Sequence, residues 1–269
     1  MRKVDYAYDV IIIGGGVVGS SIARELSKYK LNTCVLEKEL DVCCETSGRN
    51  SGVLHAGFNN KAGSLMAKFC VEGNENFDEI AKELDIPFKR TGKLVVGFNE
   101  EDKEKLIKMK EQGEANGVKG LEIINKDKIR KLSPYVEGNF ALYSPQTGIL
   151  NPFIYTIAMA ENAVSNGVKY FLDNEVLDIK KVLEKDKDIF QIKTNKNIYK
   201  SRWLINSAGL NSDKIGKMMG IEDYTIYPCR GEYFILDQKL GKYLNMPAYP
   251  VPNEKMGGLG IHLTPSIDG

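Results

Sequence analysis

The sequence predicts an α/β fold in which a parallel sheet flanked by helices is combined with a second, antiparallel sheet. Two observations support this prediction: a strand–helix–strand unit at the N-terminus, and later β-rich runs separated by polar turns. The chain has 269 residues, of which 42% are hydrophobic and 27% charged. This composition is typical of a globular protein, and the length is sufficient for two hydrophobic cores.

The N-terminal unit begins with a short apolar run over 8–13, rich in β-branched residues, which is typical of a strand buried on both faces. Glycines over 14–19 end this strand, and 20–30 then shows helical spacing of its apolar residues. A second strand is expected over 32–37. Because such crossovers are right-handed, the two strands are expected to be parallel neighbours.

A long amphipathic helix is expected over 63–84, where apolar residues recur at steps of three and four. The other elements in the middle of the chain are predicted to be shorter. They are a strand over 92–98, a helix from the acidic residues 100–102, a helix over 126–132, a strand over 140–144, a turn over 147–152 and a helix over 153–166.

Three β-rich runs follow, and the polar turns between them predict a meander appended to the parallel sheet. These runs are 168–181, 189–194 and 198–205. Two later runs, 224–236 and 259–264, are expected to join 93–98 in the antiparallel sheet. The sequence stops in a turn directly after the last predicted strand, so we expect a fragment, or a remainder in another chain.

Charge and cysteine usage exclude several function classes. The net charge is +1, from 37 basic and 36 acidic residues, so the sequence lacks the excess of basic residues that is typical of nucleic-acid-binding proteins. Five cysteines without a C-x-x-C, and two distant histidines, predict neither a metal site nor a disulfide framework, and they favour a cytoplasmic protein with reduced thiols. No stretch approaches the ~20 apolar residues of a membrane span, which leaves only peripheral membrane association open.

The segment 14–19, GGGVVG, satisfies G-x-G-x-x-G, follows a predicted strand and opens a helix. Gly14 permits the tight turn, Gly16 lets the backbone approach a pyrophosphate, and Gly19 allows close helix–strand packing. Glu37 ends the second strand eighteen residues after Gly19, where the fingerprint requires an acid that accepts a ribose hydroxyl. Together with the helix N-terminus, these features predict a Rossmann-like dinucleotide site.

The fingerprint leaves NAD and FAD open, and the sequence that follows discriminates between them. In a nicotinamide dehydrogenase the second strand should lead into another helical crossover. Here it leads into the loop 45–64, ETSGRNSGVLHAGFNNKAGS, whose small residues allow the backbone to lie along an extended cofactor.

Five blocks of the sequence, in order, resemble one known superfamily from end to end. They are SGRNSGVLHAG with KAGSLMAKFCVEGN, NSAGLNSDKI, YPCRGEYFIL, YPVPN and LGIHLTPSIDG. They are similar to the FAD-dependent D-amino-acid-oxidase superfamily. Within it, they resemble the branch of L-2-hydroxyglutarate oxidases and anaerobic glycerol-3-phosphate dehydrogenases.

The chain departs from the hydroxyglutarate pattern at several positions. Arg49 stands where that group usually has histidine, and the triplet 48–50 is shared with anaerobic glycerol-phosphate enzymes. Asparagines at 59–60 replace a tyrosine pair. Pro and Ser at 265–266 stand where an arginine often precedes the final Ile-Asp-Gly. The two substrates therefore stay open.

The resemblance implies an FAD cofactor and a set of residues along it. Arg49 has a choice between cofactor phosphate, substrate anion and structural pairing. Val176 is expected to contact adenine through its main chain, and its side chain to fill the core. The cofactor-binding candidates are Gly14, Gly16, Val17, Val18, Gly19, Glu37, Lys38, Ser47, Arg49, Asn50, Ser51, Gly52, Val176, Ala208 and Gly209.

Three residues are catalytic candidates on the same resemblance. His262, in a predicted strand over the flavin, is the candidate base for the substrate hydroxyl. His55 is expected to face the flavin ring or the substrate. Arg230 is a candidate clamp for a carboxylate or phosphate. Each has a structural alternative: a core or surface histidine, or pairing of Arg230 with Glu232.

The implied reaction is hydride transfer from a small anionic secondary alcohol, such as the 2-hydroxy acid L-2-hydroxyglutarate, to FAD, which then reduces oxygen, a quinone or a partner protein. Glycerol-3-phosphate dehydrogenase is the first alternative. An amino acid or amine oxidase is a second, and a non-catalytic FAD-binding fragment completed by another chain is a third. The domain boundaries expected are 1–87 and 146–220 for FAD binding, and 88–145 and 221–269 for the substrate domain.

Overall fold

The computed structural model describes residues 6–184, 187–252 and 261–269. The chain divides into two compact units, Met1–Asn50 with Pro152–Glu232 and Ser51–Asn151 with Tyr233–Gly269. The chain therefore passes between units after 50, 151 and 232, where the sequence analysis expects 87, 145 and 220. The assignment of one unit to the cofactor and the other to the substrate stays a prediction.

The described elements are as follows. The strands are β1 Tyr6–Ile13, β2 Thr33–Leu36, β3 Val53–Leu54, β4 Phe88–Lys89, β5 Leu94–Gly97, β6 Glu122–Asn125, β7 Phe140–Tyr143, β8 Gly148–Leu150, β9 Lys169–Phe171, β10 Val176–Glu184, β11 Lys187–Thr194, β12 Ile198–Asn206 and β13 Ala248–Pro250. The α-helices are α1 Val17–Leu26, α2 Leu65–Glu75, α3 Phe77–Glu83, α4 Glu100–Ala115, α5 Lys126–Leu132, α6 Pro152–Ser165 and α7 Ser212–Met218.

The first unit is built on a six-stranded sheet with the order β10-β11-β12-β1-β2-β9. Strand β1 pairs in parallel with both β12 and β2, and β2 pairs in parallel with β9. The strands β10, β11 and β12 form the predicted antiparallel meander. The run 168–181 differs from its prediction, because it divides into β9 and β10 at opposite edges of this sheet.

Strand β1 is buried on both faces, as its apolar run predicts. Val10 and Ile12 pack with Ala23 of α1 and Ala163 of α6 on one face. Ile11 and Ile13 belong to the core on the other face, which includes residues of β10, β11, β12 and α7. The α/β fold with a parallel sheet covered by helices is confirmed, and this arrangement brings the ends of β1, β2 and β12 to one edge.

The second unit contains a four-stranded sheet, β13-β5-β7-β6, and a small three-stranded sheet, β3-β8-β4. Strands β5, β7 and β6 are antiparallel, whereas β13 pairs with β5 in parallel. Val95 of β5 packs with Leu106 of α4, and Leu94 of the same strand packs with Ile129 of α5. The two faces of β5 are thus covered, which places its first residues in a dry environment.

The predicted helix over 63–84 is divided into α2 and α3 at Asn76, which has φ −86° and ψ −4°. Phe77 is buried and stacks edge-on against Phe88, with ring centroids 5.3 Å apart. Met66 and Phe69 are exposed instead of forming the expected apolar stripe. The burial of Phe77 comes from packing with a distant strand, which the helical spacing does not reveal.

The predictions for 224–236 and 147–152 are wrong, and the predicted strand 259–264 is described only in part. The run 224–236 forms no strand, and Phe234 and Ile235 are each 97% exposed. A strand needs a hydrogen-bonded neighbour, and β13 occupies the edge of the four-stranded sheet instead. In the run 259–264, residues 259 and 260 lie outside the described residues, and Leu263 makes only an isolated bridge to Ala248. The predicted turn 147–152 contains β8, which pairs with β3 and β4.

Candidate functional site

A cavity of 590 Å³ opens in the first unit where β1, β2 and β12 end. Ligands of open α/β sheets bind at the carboxyl ends of the parallel strands. The glycine loop, the end of β2 and the residues before β10 contribute to its walls. Its lining includes Gly14, Gly16, Val18, Glu37, Lys38, Thr46, Ser47, Asn174, Val176, Ser207, Ala208 and Gly209.

The glycines of the loop are required by contacts with neighbouring backbone. Gly14 has φ +105°, and a Cβ atom there would lie 2.5 Å from the carbonyl oxygen of Ser207. A Cβ atom on Gly19 would lie 2.0 Å from the carbonyl oxygen of Gly14. At Gly16 the nearest atom would be the Ser47 hydroxyl, at 2.9 Å. The loop thus packs tightly against the residues that directly follow β12, while Gly16 lines the cavity.

Helix α1 begins at this loop without a side-chain cap, because its N-cap residue is Gly16. The Val17 amide donates a hydrogen bond of 2.9 Å to the Ser47 hydroxyl. The other N–H groups of the first turn and the helix dipole favour a phosphate at such a position. Ser47 thus lines the cavity beside this helix N-terminus, and its contact with the cofactor stays a prediction.

Glu37 is 8% exposed and is held by the glycine loop. Its carboxylate accepts hydrogen bonds from the amides of Gly15, at 2.6 Å, and Glu39, at 2.9 Å. A carboxylate has acceptor capacity beyond these two bonds. Glu37 lines the cavity, and its contact with a ribose stays a prediction.

Lys38 also lines the cavity, but carboxylates neutralise it. Its ammonium forms ion pairs with Glu45, at 2.6 Å, and Glu39, at 3.0 Å. Hydrogen bonds to Glu45 and Glu39 raise the pKa of Lys38 above its ordinary value. A cofactor contact of this side chain therefore competes with two internal partners.

The predicted cofactor contacts at 49–52 do not line the cavity, and they fall in two different units. The Asn50 amide donates to the carbonyl oxygens of Thr46 and Ser47, which orders the short turn Thr46–Gly48. Arg49 is exposed, and neither Arg49 nor Asn50 lines the cavity. Ser51, exposed, and Gly52, with φ +65°, belong to the second unit.

Asn174 is a cavity residue that the sequence analysis missed. It is buried, and its Oδ1 atom accepts hydrogen bonds from the hydroxyls of Tyr199, at 2.9 Å, and Thr194, at 3.2 Å. These bonds hold the turn before β10 and thereby position Val176, which is 8% exposed. The available signal is the polar turn directly before the predicted strand at Val176.

The second unit contains a group of basic and aromatic side chains. The His262 ring stacks on the Tyr249 ring, with centroids 4.4 Å apart and planes inclined by 17°. The Tyr249 hydroxyl accepts a hydrogen bond of 2.8 Å from Asn59, and burial raises the pKa of Tyr249 to about 12. His262 thus lies next to β13 through the neighbouring bridge of Leu263, not in a strand as predicted.

His55 follows β3 in the same unit. Its carbonyl oxygen accepts a hydrogen bond of 2.9 Å from the Asn74 side chain, which fixes the backbone there. Removal from water lowers the pKa of the imidazole, and the nearby Lys93 and His262 lower it further. His55 is an exposed residue, however, and contact with solvent makes this shift smaller than full burial would. His55 is therefore neutral at pH 7.

Lys93 is the functional candidate in this unit that the sequence analysis missed. It is 2% exposed, directly before β5, and its ammonium lies 4.2 Å from the Tyr249 ring centroid and 5.8 Å from that of Phe58. Burial lowers its pKa to about 8. A lysine directly before the apolar run of β5 was the available signal.

Arg230 lies in a segment without regular secondary structure. Its side chain is 88% exposed, and the Nε atom lies 4.0 Å from Glu232. It does not line the cavity of its own unit. Glu232 is thus the acidic residue near Arg230, in agreement with the structural alternative.

Within the described ranges, no cluster of three or more His, Cys, Asp or Glu side chains is arranged to hold a metal ion. None of the described helices combines the length and apolar character that crossing a membrane requires.

The comparisons with known proteins agree with this geometry. The profile of the DAO family, described as FAD dependent oxidoreductase, matches residues 9–269. A glycerol 3-phosphate dehydrogenase of Caloramator mitchellensis is 44% identical over 265 residues, which cover 97% of this chain and 54% of that relative. A mitochondrial L-2-hydroxyglutarate dehydrogenase of Nematostella vectensis is 37% identical over 275 residues, covering 97% and 60%. The chain thus spans about half to two thirds of the length of these relatives.

Solved structures support the same fold. The dithionite-reduced L-α-glycerophosphate oxidase of Mycoplasma pneumoniae, with FAD bound, matches 98% of this chain and 69% of that chain, with a TM-score of 0.82 and 27% identity. A glycine oxidase of Bacillus cereus matches 96% of this chain and 68% of its own, with a TM-score of 0.76 and 24% identity.

The cavity residues fit the cofactor of this family. Gly16 allows close approach of a pyrophosphate to the N-terminus of α1, and Gly14 and Gly19 occupy positions where neighbouring backbone leaves no room for a Cβ atom. The expectation of an FAD cofactor is confirmed by the family match. The chain belongs to the DAO family of FAD-dependent oxidoreductases.

Proposed function

We propose that the protein oxidises a small anionic secondary alcohol, with L-2-hydroxyglutarate and glycerol 3-phosphate as the two leading substrates. The main support is the combination of the dinucleotide cavity in the first unit with the basic group His55, Lys93 and His262 in the second. Relatives named for these two substrates match nearly the whole chain. Both substrates carry an anionic group close to a secondary alcohol.

FAD, held at the glycine loop and along Ser47, Val176, Ala208 and Gly209, would supply the hydride acceptor. The residues of this chain supply binding and proton transfer. Alcohol oxidation requires removal of the hydroxyl proton as the hydride leaves, and a ring nitrogen of His262 is proposed to accept it. Stacking on Tyr249 fixes the plane of that ring. His55, neutral at pH 7, is proposed to orient the hydroxyl group.

Glycerol 3-phosphate is the second candidate because of two specific observations. The relative with 44% identity carries that name, and the triplet Gly-Arg-Asn at 48–50 matches anaerobic enzymes of that type. L-2-hydroxyglutarate is favoured by the Ser-Gly-Val-Leu-His-Ala-Gly block and by relatives at 34–37% identity. The electrons are proposed to pass to oxygen, a quinone or a partner protein.

The test is an anaerobic screen of flavin absorbance with the FAD-loaded protein. L-2-Hydroxyglutarate, its D-isomer, glycerol 3-phosphate, glycine, sarcosine and proline are added separately. We expect one of the two anionic alcohols to bleach the flavin. Bleaching by amines alone would assign an amine oxidase, and a flavin that no compound reduces would support a non-catalytic module.

A further inference from the structure

Lys93 is a buried lysine whose ammonium contacts aromatic rings. It is 2% exposed, yet among the described residues no carboxylate lies within ion-pair distance of its ammonium. Lys103 offers a direct comparison, because its ammonium lies 4.5 Å from the Phe140 ring centroid but also 3.3 Å from a carboxylate oxygen of Glu100. A buried ammonium without a carboxylate is costly, which calls for a compensating role.

The surroundings of Lys93 are basic and aromatic. The electrostatic interactions that act on His55 come from Lys93 and His262, and the one that acts on Lys93 comes from Cys70. No carboxylate of the described part takes part in either set. Because His55 is neutral at pH 7, the positive potential of this group comes from the Lys93 ammonium, which an anion would neutralise.

The aromatic contacts hold the ammonium without neutralising it. Its position, 4.2 Å from the Tyr249 ring centroid, is within cation–π distance, and the same Tyr249 ring stacks on His262. Tyr249 is itself anchored by the 2.8 Å hydrogen bond from Asn59. One anchored ring therefore fixes both a cation and the imidazole proposed to accept a proton.

We propose that Lys93 binds the anionic group of the substrate, carboxylate or phosphate, and thereby positions the alcohol carbon for oxidation. This inference rests on the proposed function. A lysine ammonium is a compact charge that suits either anion, so the shared chemistry is an oxyanion next to the secondary alcohol. The role is one of binding and positioning, distinct from the proton acceptance assigned to His262.

The test compares FAD-loaded wild type with Lys93→Met and Lys93→Arg, and Lys103→Met is the matched control. Glutarate and inorganic phosphate, which carry no oxidisable alcohol, are titrated by calorimetry. Flavin reduction by L-2-hydroxyglutarate and glycerol 3-phosphate is followed anaerobically. The two probe anions distinguish a carboxylate site from a phosphate site.

We expect Lys93→Met to weaken binding of the preferred anion by about tenfold or more and to raise KM more than it lowers kcat. FAD content should be unchanged. Lys93→Arg should retain most of the affinity, and Lys103→Met all of it. Anion affinity within about twofold of wild type in Lys93→Met would overturn the proposal and leave Lys93 a structural role.

The two proposals fail in different ways. If neither alcohol reduces the wild-type flavin, the proposed function is wrong, whereas calorimetry with glutarate and phosphate still decides the role of Lys93. If an alcohol reduces the flavin equally well in wild type and Lys93→Met, the function stands and the role of Lys93 is wrong.

Discussion

At the scale of single residues, Lys93 is held in a site that opposes its charge. Its pKa in the folded protein is about 8, against 10.5 in a solvated lysine, because burial disfavours the ammonium. Between these two values the unfolded chain binds more protons than the folded chain, so stability rises with pH over that window. Below pH 8 the cost of burying the charge is fully present. A residue that reduces stability at neutral pH is typical of functional sites.

We therefore expect Lys93→Met to increase the free energy of unfolding at pH 7 by as much as about 3 kcal/mol. The gain should shrink between pH 8 and pH 10.5, because wild type then loses its proton in the folded state. Urea denaturation at pH 7 and pH 10 measures both quantities, with Lys103→Met as control. Equal pH dependence in wild type and Lys93→Met would show that Lys93 is not buried as a cation.

His262 is expected to act on proton transfer more than on cofactor binding. In His262→Ala the rate of anaerobic flavin reduction should fall by about 10²–10⁴-fold, the range of a lost general base. FAD content should change little, because His262 and the dinucleotide cavity belong to different units. Stopped-flow absorbance measures the rate. An unchanged rate would remove His262 from the mechanism.

Among the secondary-structure elements, the glycine loop and α1 form the predicted phosphate-binding site, and contacts with neighbouring backbone determine the shape of the loop. A Cβ atom at Gly16 would point at the Ser47 hydroxyl, a movable side chain, whereas at Gly14 and Gly19 it would meet fixed backbone. Substitution at Gly16 is therefore compatible with folding but occupies the space where a pyrophosphate approaches. A substitution at Gly16 therefore tests cofactor binding, whereas a substitution at Gly14 or Gly19 would also disturb folding.

Gly16→Ala should fold, but its affinity for FAD should be lower by about tenfold or more, since a methyl group enters the phosphate position. The matched control is Gly73→Ala in α2, where a Cβ atom meets nothing within 4 Å. That control should gain up to about 1 kcal/mol of stability from helix propensity and bind FAD normally. Fluorescence titration with FAD and thermal unfolding measure both. Normal FAD affinity in Gly16→Ala would contradict the assignment of this cavity.

At the scale of the whole molecule, the parts predicted from sequence are those determined by local patterns. The unit β1–α1–β2 follows from an apolar run, a glycine turn and helical spacing within thirty residues or so. The run 224–236 has the same β-rich character, but strand formation depends on a partner that local sequence does not specify. The break at Asn76 likewise depends on the packing of Phe77 against a distant strand.

In the candidate site too, local sequence predicts some residues and tertiary packing determines the others. The cavity brings together most of the residues expected from the fingerprint, whereas Asn174 and Lys93 were missed because tertiary packing determines their burial. The guanidinium of Arg230 has the chemistry of an anion clamp, but its exposed surroundings do not provide a site for an anion. Residue type indicates which chemistry is available, and burial decides where it is used.

The central claim is that an anionic secondary alcohol reduces FAD bound by this protein. The most direct measurement is anaerobic flavin absorbance after mixing with the preferred alcohol, protiated or deuterated at the carbinol carbon. We expect bleaching, slowed several-fold by deuterium, because the hydride comes from that carbon. A protein that binds no FAD, or a flavin that neither L-2-hydroxyglutarate nor glycerol 3-phosphate bleaches, would contradict the claim.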